Sequence, residues 1–340
     1  KKIMKYSTTL STIKTLIENA LPFLLKGSPG SAKTSCVEQA CREIGVRCIV
    51  SHPVVSDPTD YKGLPCEIDG EAVFLPFGEL REMMNVTEKT VFFFDDLGQS
   101  TPSVQASIMQ LILKREINGK KISPHVTFAS ATNGTKDKAG VKKLLQPLLS
   151  RQATILTIDT DVDEWASWAL SAGMPTVLVA FIKFAGIDML SDFDPNFVDE
   201  TGDDMVNQPC PRTVQHVGQL FKCGLKSFEV LAGAIGKAFA IEFLAFVEVW
   251  EKLGKLPQEI ATGKGGTCPT EPSMLFALTN CLSRIAKDES KFKNIANWLT
   301  KNIPLEFGAK FIKEIETNSP ETTEFDGFIE LNLKFVSNTF

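Results

Sequence analysis

Gly27-Ser28-Pro29-Gly30-Ser31-Ala32-Lys33-Thr34 lies between two patterns that decide the fold. Before it, Leu21 to Leu25 is an apolar run that reads as a buried strand. After it, Ala32 to Ile44 follows a helical pattern. Strand, glycine-rich turn and helix start make the setting in which such a loop holds nucleotide phosphates. Gly27 and Gly30 permit backbone angles closed to other residues. The turn through Ser28, Pro29, Gly30, Ser31 and Ala32 can then aim backbone N–H groups at phosphate oxygens. The helix N-terminus, with Ser35 just inside it, adds a favourable partial charge. Lys33 is expected to reach the β- and γ-phosphates, and the Thr34 hydroxyl to bind Mg²⁺. One departure from G-x-x-x-x-G-K-[ST] is visible, because Ala32 replaces the last Gly. As a small, helix-favouring residue at the helix start, it is expected to be tolerated.

A second set of residues follows about sixty positions on. Val91-Phe92-Phe93-Phe94 is an apolar, β-favouring run that ends in Asp95-Asp96. It reads as a buried parallel strand whose carboxyl end faces a ligand. Asp95 is placed to hold Mg²⁺, and Asp96 to orient or deprotonate an attacking water. A third strand, Val126 to Ala131, ends at Thr132-Asn133, whose neutral amide can polarise the same water. The chain has only seven Arg, and Arg151 is the sole one between Arg115 and Arg212. Arg151 precedes a strand, Ala153 to Ile158, and Arg212 opens a helical stretch, Thr213 to Leu225. Isolated guanidinium groups at element starts suit phosphate contacts. Each piece has a blander reading: a Gly/Pro turn, a strand running into a polar turn, an Asn beside Gly134, two surface salt bridges. Their order along one chain is what favours the nucleotide reading.

That order resembles the AAA+ ATPases, specifically the MoxR-like group, over roughly residues 16 to 250. GSPGSAKT stands for Walker A, VFFFDD for Walker B, ASATN for sensor 1, LLSR for the arginine-finger region and CPRT for sensor 2. Asp57 through Phe77 looks like the group's helix-2 insertion, and Arg115 through Ser123 like its pre-sensor hairpin. Asn118-Gly119 is a strong two-residue hairpin signal on its own. The resemblance implies an α/β P-loop NTPase fold, a parallel sheet flanked by helices, with an all-helical C-terminal lid. Domains are expected at 1–160 and 161–340. It implies an ATP-hydrolysing enzyme that uses Mg²⁺, assembles as a hexameric ring and remodels a protein client, often one with a von Willebrand A domain. By the same resemblance, Arg151 acts on a neighbour's nucleotide and Arg212 reads the nucleotide from the lid. The group usually has Asp-Glu in Walker B. Asp95-Asp96 is one methylene shorter, which puts the hydrolysis rate in doubt more than nucleotide binding.

The 340 residues can bury a large core and usually make two domains. A net charge of −5 argues against a protein built mainly to coat nucleic acid. A DNA-processing motor or helicase loader stays open as an alternative, through Lys120 and Lys121 on the hairpin. A nucleotide-dependent scaffold with little turnover stays open through Asp96. Eight Cys without a C-x-x-C pair read as reduced thiols of a cytoplasmic protein, and three His offer no local zinc spacing. Val230 to Trp250, the most apolar later stretch, carries Lys237, Glu242 and Glu248 and reads as a buried helix, not a membrane span. Asp188 to Asp204 reads as a solvated loop, because Phe197 stands where a calcium loop needs Gly. Leu253 to Pro272 reads as a linker or an extended excursion, followed by helices over Ser273 to Ala286 and Phe292 to Thr317. Phe325, Phe328, Phe335 and Phe340 are expected to pack back on the lid, with an exposed docking segment as the alternative. A compact lid with such a tail suggests a phage- or prophage-type variant.

Overall fold

The computed structural model describes residues 4–134, 144–194, 196–198, 202 and 205–336. Contacts divide the chain into one unit of Lys1–Glu164 with Leu190–Val214 and another of Trp165–Met189 with Gln215–Phe340. The sequence places a single break after residue 160, whereas the first unit takes in the described residues between Leu190 and Val214 as well.

The first unit begins with α1 (Tyr6–Glu18), β1 (Phe23–Lys26), α2 (Lys33–Glu43) and β2 (Arg47–Ser51). An excursion follows: α3 (Pro58–Lys62), then β3 (Leu64–Ile68) paired antiparallel with β4 (Glu71–Leu75), then α4 (Gly78–Asn85). Next come β5 (Thr90–Phe94), α5 (Pro102–Lys114), β6 (Glu116–Ile117), β7 (Lys120–Lys121) and β8 (Val126–Thr132). A short α6 (Gln146–Leu149) and β9 (Thr154–Thr157) complete the sheet. Five strands form one parallel sheet in the order β2-β5-β8-β1-β9.

Alternation along the strands splits the core between the two faces of this sheet. Leu24, Phe92, Phe94 and Phe128 share one cluster with Tyr61, Leu80, Ile108 and Leu111. Phe23, Leu25, Val91 and Phe93 share the other with Ile13, Val37, Ala40 and Cys41. Burial on both faces is why these strands read as apolar runs instead of alternating patterns. The helix α5 starts cleanly, with the Thr101 hydroxyl accepting from the Val104 N–H and Pro102 in the first turn. It ends at Arg115 in the left-handed conformation, φ 51°. The Arg115 guanidinium donates to the Ser123 and Val126 carbonyls at 2.8 and 2.7 Å, closing the base of the β6–β7 hairpin. Asn118 and Gly119 form its turn at φ 49° and 73°, as the sequence leads one to expect.

The second unit is helical. It takes in most of α7 (Val162–Ser171), then α8 (Thr176–Ala185), α9 (Ile187–Leu190) up to Met189 and the later part of α10 (Pro211–Lys222). The helices α11 (Phe228–Ile235), α12 (Lys237–Lys252), α13 (Leu256–Ala261), α14 (Pro272–Ile285), α15 (Glu289–Asn302), α16 (Leu305–Asn318) and α17 (Phe328–Phe335) follow. Three expectations are corrected. The apolar stretch 230–250 breaks at Gly236, whose φ of 99° and ψ of 155° no helix admits. The supposed linker contains α13. The helix expected over 292–317 is two, because Pro304 caps the start of α16. Phe181 anchors the core against Phe239, Phe243 and Phe246, with ring centroids 5.2 to 5.7 Å apart. Lys183 on α8 and Glu314 on α16 form a buried ion pair. Phe325 and Phe328 pack on Phe292, and Phe335 sits over Gly308, where a Cβ would lie 2.1 Å from its ring. Phe340 lies outside the described residues. No helix among the described residues is long and apolar enough to cross a membrane.

Candidate functional site

The carboxyl end of the sheet gathers five of the residues singled out by sequence. Lys33, first residue of α2 and 7% exposed, donates from Nζ to the Gly27 carbonyl at 3.0 Å, the Ser28 carbonyl at 2.9 Å and Asn133 Oδ1 at 2.8 Å. The Thr34 hydroxyl donates to Asp95 Oδ2 at 2.7 Å. The other oxygen of Asp95 accepts the Asp96 N–H at 3.0 Å. Asn133 links the two groups by donating from Nδ2 to Asp96 Oδ1 at 3.3 Å. Three strands make this possible: β1 delivers the loop, β5 the two carboxylates and β8, between them, the amide.

The loop geometry fits a phosphate chain. Gly27 is packed so closely that an added Cβ would meet the Ile158 carbonyl at 2.8 Å and Ser31 Oγ at 2.6 Å. Gly30 has φ 76°, and its Cβ would meet Cys210 Sγ at 2.8 Å. Ser31 Oγ is buried and has no hydrogen-bond partner among the described residues. The helix α2 starts without a side-chain cap, so the N–H groups of its first turn, including that of the exposed Ser35, are left to a ligand. Phosphate oxygens would accept stronger, charge-assisted hydrogen bonds from Lys33 than the two carbonyls and the amide do. Thr34 and Asp95 place two oxygen donors together, the hard donor set that suits Mg²⁺.

Asp96 is pushed above the usual carboxylate range, first by burial and then by the adjacent Asp95, against the opposing pull of Lys33, Arg212 and His52. A carboxyl raised in this way is a better proton acceptor. Its backbone is left-handed, φ 51°.

Ala32 corrects the sequence reasoning. It is not in the helix but caps it, at φ 60° and ψ 29° in the left-handed region. Gly usually takes such a position because a Cβ there costs about 1–2 kcal/mol. Helix propensity is therefore not what decides whether Ala is tolerated.

The two arginines differ. Arg212 is exposed, near Gly30 through its Cβ, and its charge acts on Asp96. Arg151 is not among the groups around Lys33. It follows α6, its Nη1 donates to the Pro147 carbonyl, and its Nε has no partner among the described residues. Two residues later, Ala153 donates to the Pro22 carbonyl, just ahead of β1. Arg151 thus lies at the amino end of the sheet. The four residues of β1 separate that end from Gly27, roughly 13 Å at strand spacing.

Residues 23–160 match the AAA family, the ATPase family associated with various cellular activities. The matched stretch begins at β1 and includes every strand, the phosphate loop, Asp95, Asp96, Asn133 and Arg151, while Arg212 lies beyond it. Among solved structures, a mutant of Thermotoga maritima RuvB is similar at 18% identity and a TM-score of 0.43, covering 82% of this chain and 81% of that one. The RuvB Holliday junction branch migration motor of the same organism is similar at 17% and 0.40, covering 82% and 80%. NtrX from Brucella abortus in complex with ADP is similar at 11% and 0.40, covering 90% and 65%. No curated protein sequence matches the chain.

Sequence reasoning misses Cys210 against the phosphate loop and His52 beside Asp96. Neither carries a local signal, since the first contact joins Gly30 to a residue far along the chain and the second depends on strand register.

Proposed function

We propose that the protein binds ATP with Mg²⁺ and hydrolyses it, and that it works as a ring-forming motor on a protein client, in the manner of the MoxR-like group. The observation that carries this reading is the run of four hydrogen bonds that links Lys33, Asn133, Asp96, Asp95 and Thr34 at the carboxyl end of the sheet. Thr34 and Asp95 would hold Mg²⁺, which neutralises phosphate charge. Lys33 leaves its carbonyl partners for the β- and γ-phosphates. Asn133 and Asp96, already hydrogen-bonded, orient a water between them, and Asp96 accepts its proton. Arg212 contributes positive charge on the side of Gly30. Positioning and charge are most of what phosphoryl transfer asks of a protein.

Arg151 stands at the wrong end of the sheet to serve its own nucleotide, which supports a role toward a neighbouring copy in a hexameric ring. A von Willebrand A domain protein is the client class that the resemblance favours. The short Asp96 favours a second reading, a nucleotide-dependent scaffold with slow turnover. Mixing tests the first reading against the second. Arg151→Ala and Lys33→Ala chains, each inactive alone, are expected to regain phosphate release when co-assembled. Rings of confirmed mixed composition that stay inactive would show that Arg151 does not act between copies. Wild-type rings that bind ATP without releasing phosphate would favour the scaffold.

A further inference from the structure

Both surface hairpins of the first unit hang on α3. The β3–β4 hairpin follows it directly after Gly63. The β6–β7 hairpin reaches it through Asn118, whose Nδ2 donates to the Lys62 carbonyl at 2.7 Å. Beside Lys62 is Tyr61, a fully buried side chain in a helix of only five residues. Its ring meets Phe94 edge-on, with centroids 5.9 Å apart. Its hydroxyl donates to Ser56 Oγ at 3.2 Å and lies 2.8 Å from Ser51 Oγ. A phenol has one proton, so Ser51 is the donor in the shorter contact. Ser51 is itself fully buried, is the last residue of β2, and its carbonyl accepts the Asp95 N–H at 2.9 Å.

We propose that the Tyr61–Ser51 hydrogen bond is a positioning contact that couples the two hairpins to the metal-holding carboxylate Asp95. Tyr61 grips the end of β5 twice, through Phe94 by packing and through Ser51 by a backbone hydrogen bond to the next residue. An apolar residue would fill the same space without burying a hydroxyl, which costs free energy unless paired. The chain spends two buried hydroxyls on this junction. The path is short and made of direct contacts: Asn118 to Lys62, Tyr61 to Ser51, Ser51 to Asp95, Asp95 to Thr34. Coupling of this kind is reciprocal, so filling the nucleotide site must also act on the hairpins.

The inference rests on the nucleotide site proposed above, and hydrogen–deuterium exchange separates the two. In the wild type, Mg·ADP is expected to change exchange in residues 64–75 and 116–121 by about fivefold, the lower range of measured couplings. Tyr61→Phe leaves Ser51 with an unpaired hydroxyl and lowers the melting temperature, whereas Tyr61→Phe with Ser51→Ala removes both partners and restores it. The double variant is expected to bind Mg·ADP but to lose the hairpin response, and its kcat to fall about tenfold with KM unchanged, as for a slightly misplaced group. Ser56→Ala removes the acceptor of the Tyr61 hydroxyl but not the Ser51 contact, so it is expected to lower the melting temperature and to keep the hairpin response. A double variant that recovers the hairpin response along with its stability would overturn the proposal and leave Tyr61 a packing residue. A wild type that binds Mg·ADP with silent hairpins would overturn it alone, and a wild type that binds no nucleotide would overturn it together with the proposed function.

Discussion

At the carboxyl end of the sheet, five polar side chains satisfy one another, and the buried Ser31 hydroxyl waits among them without a partner among the described residues. At the amino end, Arg151 holds one backbone carbonyl and leaves its Nε unpaired among the described residues. The first arrangement can be completed by a ligand that brings oxygens. The second can be completed by a surface that brings oxygens. Buried or half-buried donors without partners are uncommon in folded proteins. Under the proposed function the two ends are the halves of a site divided between copies, and each end can be tested by itself.

The largest effect is expected at the amino end. Arg151→Ala should lower phosphate release by ~10³-fold, the scale of an arginine finger, with ATP affinity by calorimetry almost unchanged. If affinity falls instead, the two ends are not separate. At the carboxyl end, Lys33→Ala should weaken ATP binding by about 100-fold, since it removes charge-assisted hydrogen bonds. A folded variant that binds as well as the wild type would remove the loop from the site. Asp96→Asn should keep binding and slow steady-state turnover by ~10²-fold, the scale of a general base. Normal turnover would move water activation elsewhere. Ala32→Gly should be the smallest change. Relief of left-handed strain is offset by the freer unfolded chain, so denaturant titration should show a shift under about 1 kcal/mol.

What the sequence makes legible is uneven for physical reasons. Residue types at fixed spacing reveal the loop, both carboxylates, Asn133 and the Asn118-Gly119 turn, because each depends on local backbone geometry. The β3–β4 hairpin uses the same chemistry at Asp69-Gly70, with φ 52° and 78°, but reads only as part of an insertion. Helix ends at Gly236 and Pro304 are hidden because apolar periodicity continues through them. The conformation of Ala32 escapes a reading by propensity, since composition says what a residue favours and not what the loop requires. The Tyr61–Ser51 and Cys210–Gly30 contacts join segments that no pattern links. Such contacts follow from packing alone.

The ion pair between Lys183 and Glu314, with Phe335 seated over Gly308, has a consequence for synthesis. A ribosome adds about 5–20 residues each second, and folding units close as they emerge. The strands of the nucleotide unit are complete once Thr157 has been made. The helical unit must hold its early helix α8 without the Glu314 partner of Lys183 until α16 arrives. Stalling translation between residues 285 and 305 should therefore give a chain whose sheet resists protease while its helices are cut.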